Sequence, residues 1–288
     1  MAQHWSAATT TTNSKITVLL AALGTLWVSY QLYQFATFVH FNFLRSSKLA
    51  RYQKRSPDGK PTSWALITGS SDGIGKGFAQ ELCRRGFNVI LHGRNEQKLK
   101  AVKAELEQQW PDSQIKIIVF DAGTGFRKDP AGLEPVIASI SDLKITVLIN
   151  NIGGGPSPPS LPLGESSANR VREMIDANAT ITTEITRLLI PILAKRSPAL
   201  IMTVGSFAGI IGVPYVSLYS GVKAYGEAMS KALHVEMKLE NHGIEVIHLQ
   251  LGKVKSGREA DTVRCLPKGS LPSLRDSRDK ETSADCFS

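Results

Sequence analysis

The chain has 288 residues, 42% hydrophobic and 20% charged, with a formal net charge of +9, which is ordinary for a globular protein and leaves room for one domain with a full core. Its three cysteines, Cys83, Cys265 and Cys286, are odd in number and scattered, so a reducing compartment is the simplest reading, and the six histidines form no cluster that would mark a metal site. The positive charge does not argue for nucleic acid, because six cations between Arg45 and Lys60 against the single carboxylate Asp58 hold more than half of it in one local patch.

That patch directly follows an apolar stretch. From Ile16 to Leu44 there is no Asp, Glu, Lys or Arg, and about 20 apolar residues suffice to cross the hydrocarbon core. The chain therefore divides into a tail over 1–15, a transmembrane helix over 16–36 and a basic juxtamembrane linker over 37–62. Trp27, Tyr30 and Tyr33 are available as interfacial aromatics. Gln31 and Gln34 weaken the second half, so that FATFVHFNFL can lie along the interface. A cleaved signal peptide is disfavoured, since no small-residue cleavage site follows the run. Only Lys15 precedes the span while the basic patch follows it, so the bulk of the chain is expected on the cytosolic side, with the patch against anionic headgroups.

From Ser63 strands and helices alternate. SWALITG is a strand, KGFAQELCRRG a helix ended by Gly86, FNVILHGR a second strand and NEQKLKAVKAELEQQW an amphipathic helix. QIKIIVFDA follows as the third strand, then a helix around 133–140 and the strand ITVLINN. A long helix over about 167–195, the strand ALIMTVGS, a helix over 216–241 and the strand IEVIHLQLG complete the pattern. This is an α/β domain with a doubly wound parallel sheet, Rossmann-like. Its ligand belongs at the C-terminal strand ends, where the order reverses between the first and fourth strands.

The first strand runs into Gly69-Ser70-Ser71-Asp72-Gly73-Ile74-Gly75 and then a helix. Glycines there let the backbone turn tightly and let a pyrophosphate approach the helix N-terminus. At the end of the second strand, Arg94 stands where an NAD enzyme would offer a carboxylate to the ribose; an arginine pairs instead with a 2′-phosphate. Tyr219 and Lys223 lie at i and i+4 at the start of a helix and so share a face. A phenol is a poor acid–base partner at neutral pH unless a nearby ammonium stabilises its phenolate. Ser206, at the end of the fifth strand, would offer a hydroxyl to a carbonyl oxygen beside that phenol.

The spacing Gly69-x₃-Gly73-x-Gly75 resembles the TGxxxGxG turn of the short-chain dehydrogenase/reductase family, and the resemblance extends from about 63 to 256. It implies a cofactor site of Gly69, Ser71, Asp72, Gly73, Ile74 and Gly75. Arg94 would select NADP(H), and Asp121 at the end of the third strand would meet the adenine, although a helix-capping role is open for it. Asn150 and Gly153 match the family's NNAG segment, with Ile152 replacing its alanine. By the same resemblance Tyr219 is the general acid. Lys223 lowers its pKa and binds the nicotinamide ribose, so both also count as cofactor contacts. Ser206 polarises the substrate carbonyl and Asn178 holds a relay water. Val254 would contact the carboxamide and Ser256 the phosphates.

Within the family, FLRSSKLARY, SWALITGSSDGIGKGFAQEL and INNIGG are similar to the membrane-bound branch of very-long-chain 3-oxoacyl-CoA reductases and related 17β-hydroxysteroid dehydrogenases. The branch implies NADPH-dependent reduction of a 3-oxoacyl-CoA during fatty-acid elongation at the endoplasmic reticulum membrane, with elongation-complex proteins as partners and a single-pass anchor. A hydroxysteroid or other lipid-ketone oxidoreductase stays open as an alternative, as does a catalytically silent membrane protein. The Gly/Pro segment 153–164 reads as a lid or as a bulky connection. The resemblance stops after Ser256. The family's Pro-Gly is Leu251-Gly252 here, and 257–288 has the composition of a disordered tail, with no seventh strand legible.

Overall fold

A computed structural model of the chain describes residues 2–40, 48–154 and 160–252. Two compact units emerge, 1–51 and 52–288.

The first unit is dominated by helix α1 (Ala2–Val39), longer at both ends than the expected span. Within it, Ile16–Val39 has a mean hydropathy of 1.4 and is the one stretch among the described residues long and apolar enough to cross a membrane. Three of its polar side chains bond within the helix. Thr25 Oγ1 donates to Ala21 O at 2.8 Å, Thr37 Oγ1 to Tyr33 O at 2.7 Å, and Gln34 Nε2 to the Tyr30 hydroxyl at 2.8 Å. A polar group so satisfied costs little in an apolar solvent.

In the second unit a six-stranded parallel sheet runs in the order β3-β2-β1-β4-β5-β6. The strands are β1 (Trp64–Thr68), β2 (Asn88–Gly93), β3 (Ile115–Val119), β4 (Ile145–Asn150), β5 (Ala199–Val204) and β6 (Ile244–Leu249). β1 pairs with both β2 and β4, so the reversal falls where the alternation places it. β1, β2 and β4 are buried at every position, as expected of strands covered on both faces. Leu66, Ile90, Leu148 and Ile201 join one core cluster with Ile181, Ile185 and Leu189.

The helices are α2 (Gly73–Arg84), α3 (Glu96–Gln109), the short α4 (Gly125–Lys128) and α5 (Leu133–Ala138), then α6 (Ala168–Ile175), α7 (Ile181–Ala194), the short α8 (Ala208–Ile211) and α9 (Ser217–Leu239). Their ends follow local chemistry. Asp72 caps α2 and Gly86 follows its last turn at φ +77°, a conformation favoured by glycine. The Asn95 side chain accepts from Lys98 N at the start of α3, and Ser167 Oγ from Arg170 N at the start of α6.

Two expectations change. The helix foreseen over 167–195 is not uniform: a π turn over Asp176–Thr180 separates α6 from α7. Such a bulge adds one residue to a turn and re-aims its side chains. Residues 52–62, foreseen within a linker, fold onto the domain. Tyr52 is buried; its hydroxyl meets Glu245 Oε2 at 2.5 Å and its carbonyl accepts from Thr146 Oγ1 at 2.7 Å. Arg55 and Pro61 form an antiparallel bridge.

Candidate active site

The site begins where β1 runs out. Gly69 has φ +65° and Gly73 φ +55°, so both need glycine's freedom. Gly75 needs its lack of a side chain instead. A Cβ there would run into Gly69 O and stand 2.6 Å from Asn151 Nδ2. The turn is therefore drawn tightly over the N-terminus of α2, where Asp72 accepts from Gly73 N at 2.7 Å. Ser71 and Ile74 are half-buried in the same turn.

Two residues that sequence reasoning passed over hold this turn to β4. Thr68 Oγ1 accepts from Asn151 N at 2.8 Å and Ile152 N at 3.0 Å, and Asn151 Nδ2 donates to Thr68 O at 3.0 Å. Asn150, the expected cofactor residue of the pair, sends its amide elsewhere. Buried at the end of β4, it donates to Thr186 Oγ1 at 2.9 Å. An Asn-Asn pair at a strand end signals that one side chain points to each face; the linear pattern does not say which one binds what.

Arg94 is exposed just past β2, and Ser71 Oγ lies near Gly93, 3.7 Å from where a Cβ would stand. Asp121, past β3, accepts from Gly123 N at 3.0 Å and Thr124 Oγ1 at 2.7 Å, the capping arrangement left open for it. Burial opposes its charge, yet the Thr124 and Gly123 bonds and the Arg94 and Lys128 cations hold the carboxyl below the ordinary range.

At the other side of the reversal stand Asn178, Ser206, Tyr219 and Lys223. Lys223, in the second turn of α9, is 8% exposed and donates from Nζ to Val204 O at 3.1 Å. Burial alone lowers its pKa to about 8, since a desolvated ammonium gives up its proton more readily. Its Nζ is 5.6 Å from the centroid of the Tyr219 ring. Gly153 makes room for it, as a Cβ there would come 2.5 Å from Lys223 Nζ and 3.4 Å from Asn178 Oδ1. Asn178, in the π turn, donates to Gly154 O and Met174 O, both at 2.8 Å, while its own carbonyl accepts from Thr182 Oγ1 at 2.7 Å. Its side chain thus clamps the segment after β4.

Ser206 is half-buried past β5, and its Oγ accepts from Ala208 N at 3.3 Å. α8 lies on α9, because a Cβ at Gly209 would come 2.9 Å from Ala224 N. Tyr219 also lines a cleft with Leu161, Leu163, Met174 and Tyr215. Val254 and Ser256 lie outside the described residues, as do residues 155–159 of the Gly/Pro segment and the tail 257–288.

The short chain dehydrogenase family matches residues 63–264. The very-long-chain 3-oxoacyl-CoA reductase of Neurospora crassa is 36% identical over 228 residues, 79% of this chain and 65% of that protein. The one from Ajellomyces capsulatus is 35% identical over 243 residues, 84% and 68% of the two. The chain thus spans about two thirds or less of the length of most of these relatives, 65% for Neurospora crassa and 55% for Debaryomyces hansenii. Among solved structures, a short-chain dehydrogenase from Sphingobium yanoikuyae in complex with NADPH is similar with a TM-score of 0.60 at 26% identity, covering 67% of this chain and 72% of that one.

Proposed function

This chain belongs to the short chain dehydrogenase family, and from that premise we propose that it reduces a lipid ketone with NADPH, namely a 3-oxoacyl-CoA to the 3-hydroxyacyl-CoA in very-long-chain fatty-acid elongation. The observation that carries this reading is the buried Lys223 ammonium set 5.6 Å from the Tyr219 ring, in a wall cleared for it by Gly153. The substrate class follows from the names of the fungal relatives.

The residues present fit a dinucleotide. Gly69 and Gly75 cross with no space for a side chain between them, which lets a pyrophosphate approach the N-terminus of α2. Arg94, exposed just past β2, suits a 2′-phosphate, and Asp121 suits the adenine side. NADPH, when bound, supplies the hydride for the carbonyl carbon.

The chain supplies the proton and the positioning. Tyr219 holds the proton at its phenol oxygen and gives it to the ketone oxygen. Lys223 stabilises the phenolate that remains, an attraction strengthened because its surroundings are largely dry. Ser206 offers its hydroxyl to the same ketone oxygen. Asn178 fixes Gly154 and with it the segment that passes Lys223. Tethering by α1 at the endoplasmic reticulum membrane, with the domain in the cytosol, suits a substrate whose acyl tail prefers bilayer to water; elongation-complex proteins are the partners this location offers.

The test is the full chain in detergent with a 3-oxoacyl-CoA and NADPH. Loss of NADPH is expected, with a preference over NADH that Arg94→Ala abolishes. Tyr219→Phe should lower the rate by about 10² or more while NADPH still binds. An unchanged rate in that variant sinks the mechanism.

A further inference from the structure

Lys223 borders a cavity with room for a single water, whose other walls include Asn150, Asn178, Thr182, Thr203 and His248. Two of these residues carry a buried acceptor with no hydrogen-bond partner among the described residues, Asn150 Oδ1 and His248 Nε2. The opposite end of the Asn150 side chain is already committed to Thr186. Lys223 has three N–H donors, and the protein acceptor beside it is Val204 O.

The tautomer of His248 follows from its neighbour. Ser230 Oγ donates its hydrogen to Gly226 O at 2.7 Å and lies 3.4 Å from His248 Nδ1. A hydroxyl whose hydrogen is engaged can only accept, so Nδ1 carries the ring proton and Nε2 is left with a bare lone pair. Space has been cleared for that nitrogen, since a Cβ at Gly205 would run into it. Burial keeps the ring neutral, with Glu227 favouring its charge and Lys223 and Lys231 opposing it. These three are on α9. The β4, β5 and π-turn walls contribute Asn150, Thr203 and Asn178, and β6 is followed by Gln250, all neutral.

We propose that His248 is a positioning residue for Lys223: one water in their shared cavity accepts an N–H from the ammonium and donates to the bare His248 Nε2 and to Asn150 Oδ1, which keeps that ammonium charged and in place beside Tyr219. The proposal rests on the reading of Tyr219 and Lys223 as the acid and its cation.

Two measurements test it without turnover. Histidine ¹⁵N NMR of the full chain in detergent at neutral pH is expected to show His248 protonated on Nδ1 and bare on Nε2; a proton on Nε2 overturns the proposal. Competitive acetylation of Lys223 across pH, read by mass spectrometry, gives the midpoint of its ammonium. His248→Leu removes the acceptor and is expected to lower that midpoint by about one pH unit, moving the alkaline limb of kcat/KM with it. His248→Gln, which keeps an acceptor, should recover most of the shift. A His248→Leu midpoint equal to that of the unsubstituted chain, or a His248→Gln midpoint no higher than that of His248→Leu, overturns it. Failure of the unsubstituted chain to consume NADPH would count against the reductase reading and leave both of these outcomes readable.

Discussion

Gly153 and Lys223 share one space: a Cβ on the glycine would stand 2.5 Å from the lysine Nζ. The segment after β4 and the second turn of α9 therefore touch at the lysine we propose as the partner of Tyr219. Gly153→Ala should push the ammonium off its bond to Val204 O without disturbing the core. A displacement near 1 Å at a catalytic group costs up to about 10² in rate. The expected result is a fall in kcat/KM of about tenfold or more with an unchanged circular dichroism spectrum. A variant as fast as the unsubstituted chain would show that Lys223 has room to spare.

The buried ammonium also sets a pH window. Lys223 has its pKa lowered from 10.5 to about 8 by burial, so between these values the unfolded chain binds the proton more tightly than the folded one. Stability then rises with pH across that window and carries its full penalty below pH 8. Lys223→Met removes the penalty. Its stabilising effect should be largest near neutral pH, of the order of 3 kcal/mol at most, and fade toward pH 10.5. Denaturant midpoints of both proteins at several pH values check this. Activity should fall above about pH 8 as the ammonium is lost.

His92 behaves in the same sense at acid pH. It is fully buried, neither ring nitrogen has a hydrogen-bond partner among the described residues, and burial lowers its pKa to about 4. The unfolded chain, with histidine near 6.5, gains the proton first as pH falls. Stability is therefore lost between about pH 6.5 and 4. His92→Leu, which keeps the burial and discards the titration, should unfold at a lower pH than the unsubstituted chain in an acid titration followed by tryptophan fluorescence. Coincident acid transitions would exclude His92 as a contributor.

Thr68 ties β1 to β4 through one oxygen that accepts from two amides. Thr68→Val keeps the shape and strands both donors. The expected loss is about 2 kcal/mol in unfolding free energy, together with weaker NADPH binding as the glycine turn loosens. Thr68→Ser keeps the oxygen and should restore most of both. Fluorescence titration with NADPH and urea unfolding separate the two effects.

Much of this protein was legible in its sequence because the signals are local. A strand followed by a glycine turn and a helix, an apolar run without charge, and a tyrosine four residues before a lysine depend only on spacing along the chain. They sufficed for the parallel sheet, its reversal between β1 and β4 and the pairing of Tyr219 with Lys223 on one helix. What required the tertiary structure involves groups far apart in sequence. Gly153 is recognisable as the space for Lys223 only once β4 and α9 are packed. The π turn at Asp176–Thr180 holds Asn178 within hydrogen-bond reach of Gly154 O on the segment after β4, a contact no periodicity encodes. Asn150 and Asn151 look alike in the sequence; the sheet decides that one is buried against Thr186 and the other holds the glycine turn. The shifts of Lys223 and His92 arise from burial, and burial is a property of the packed fold.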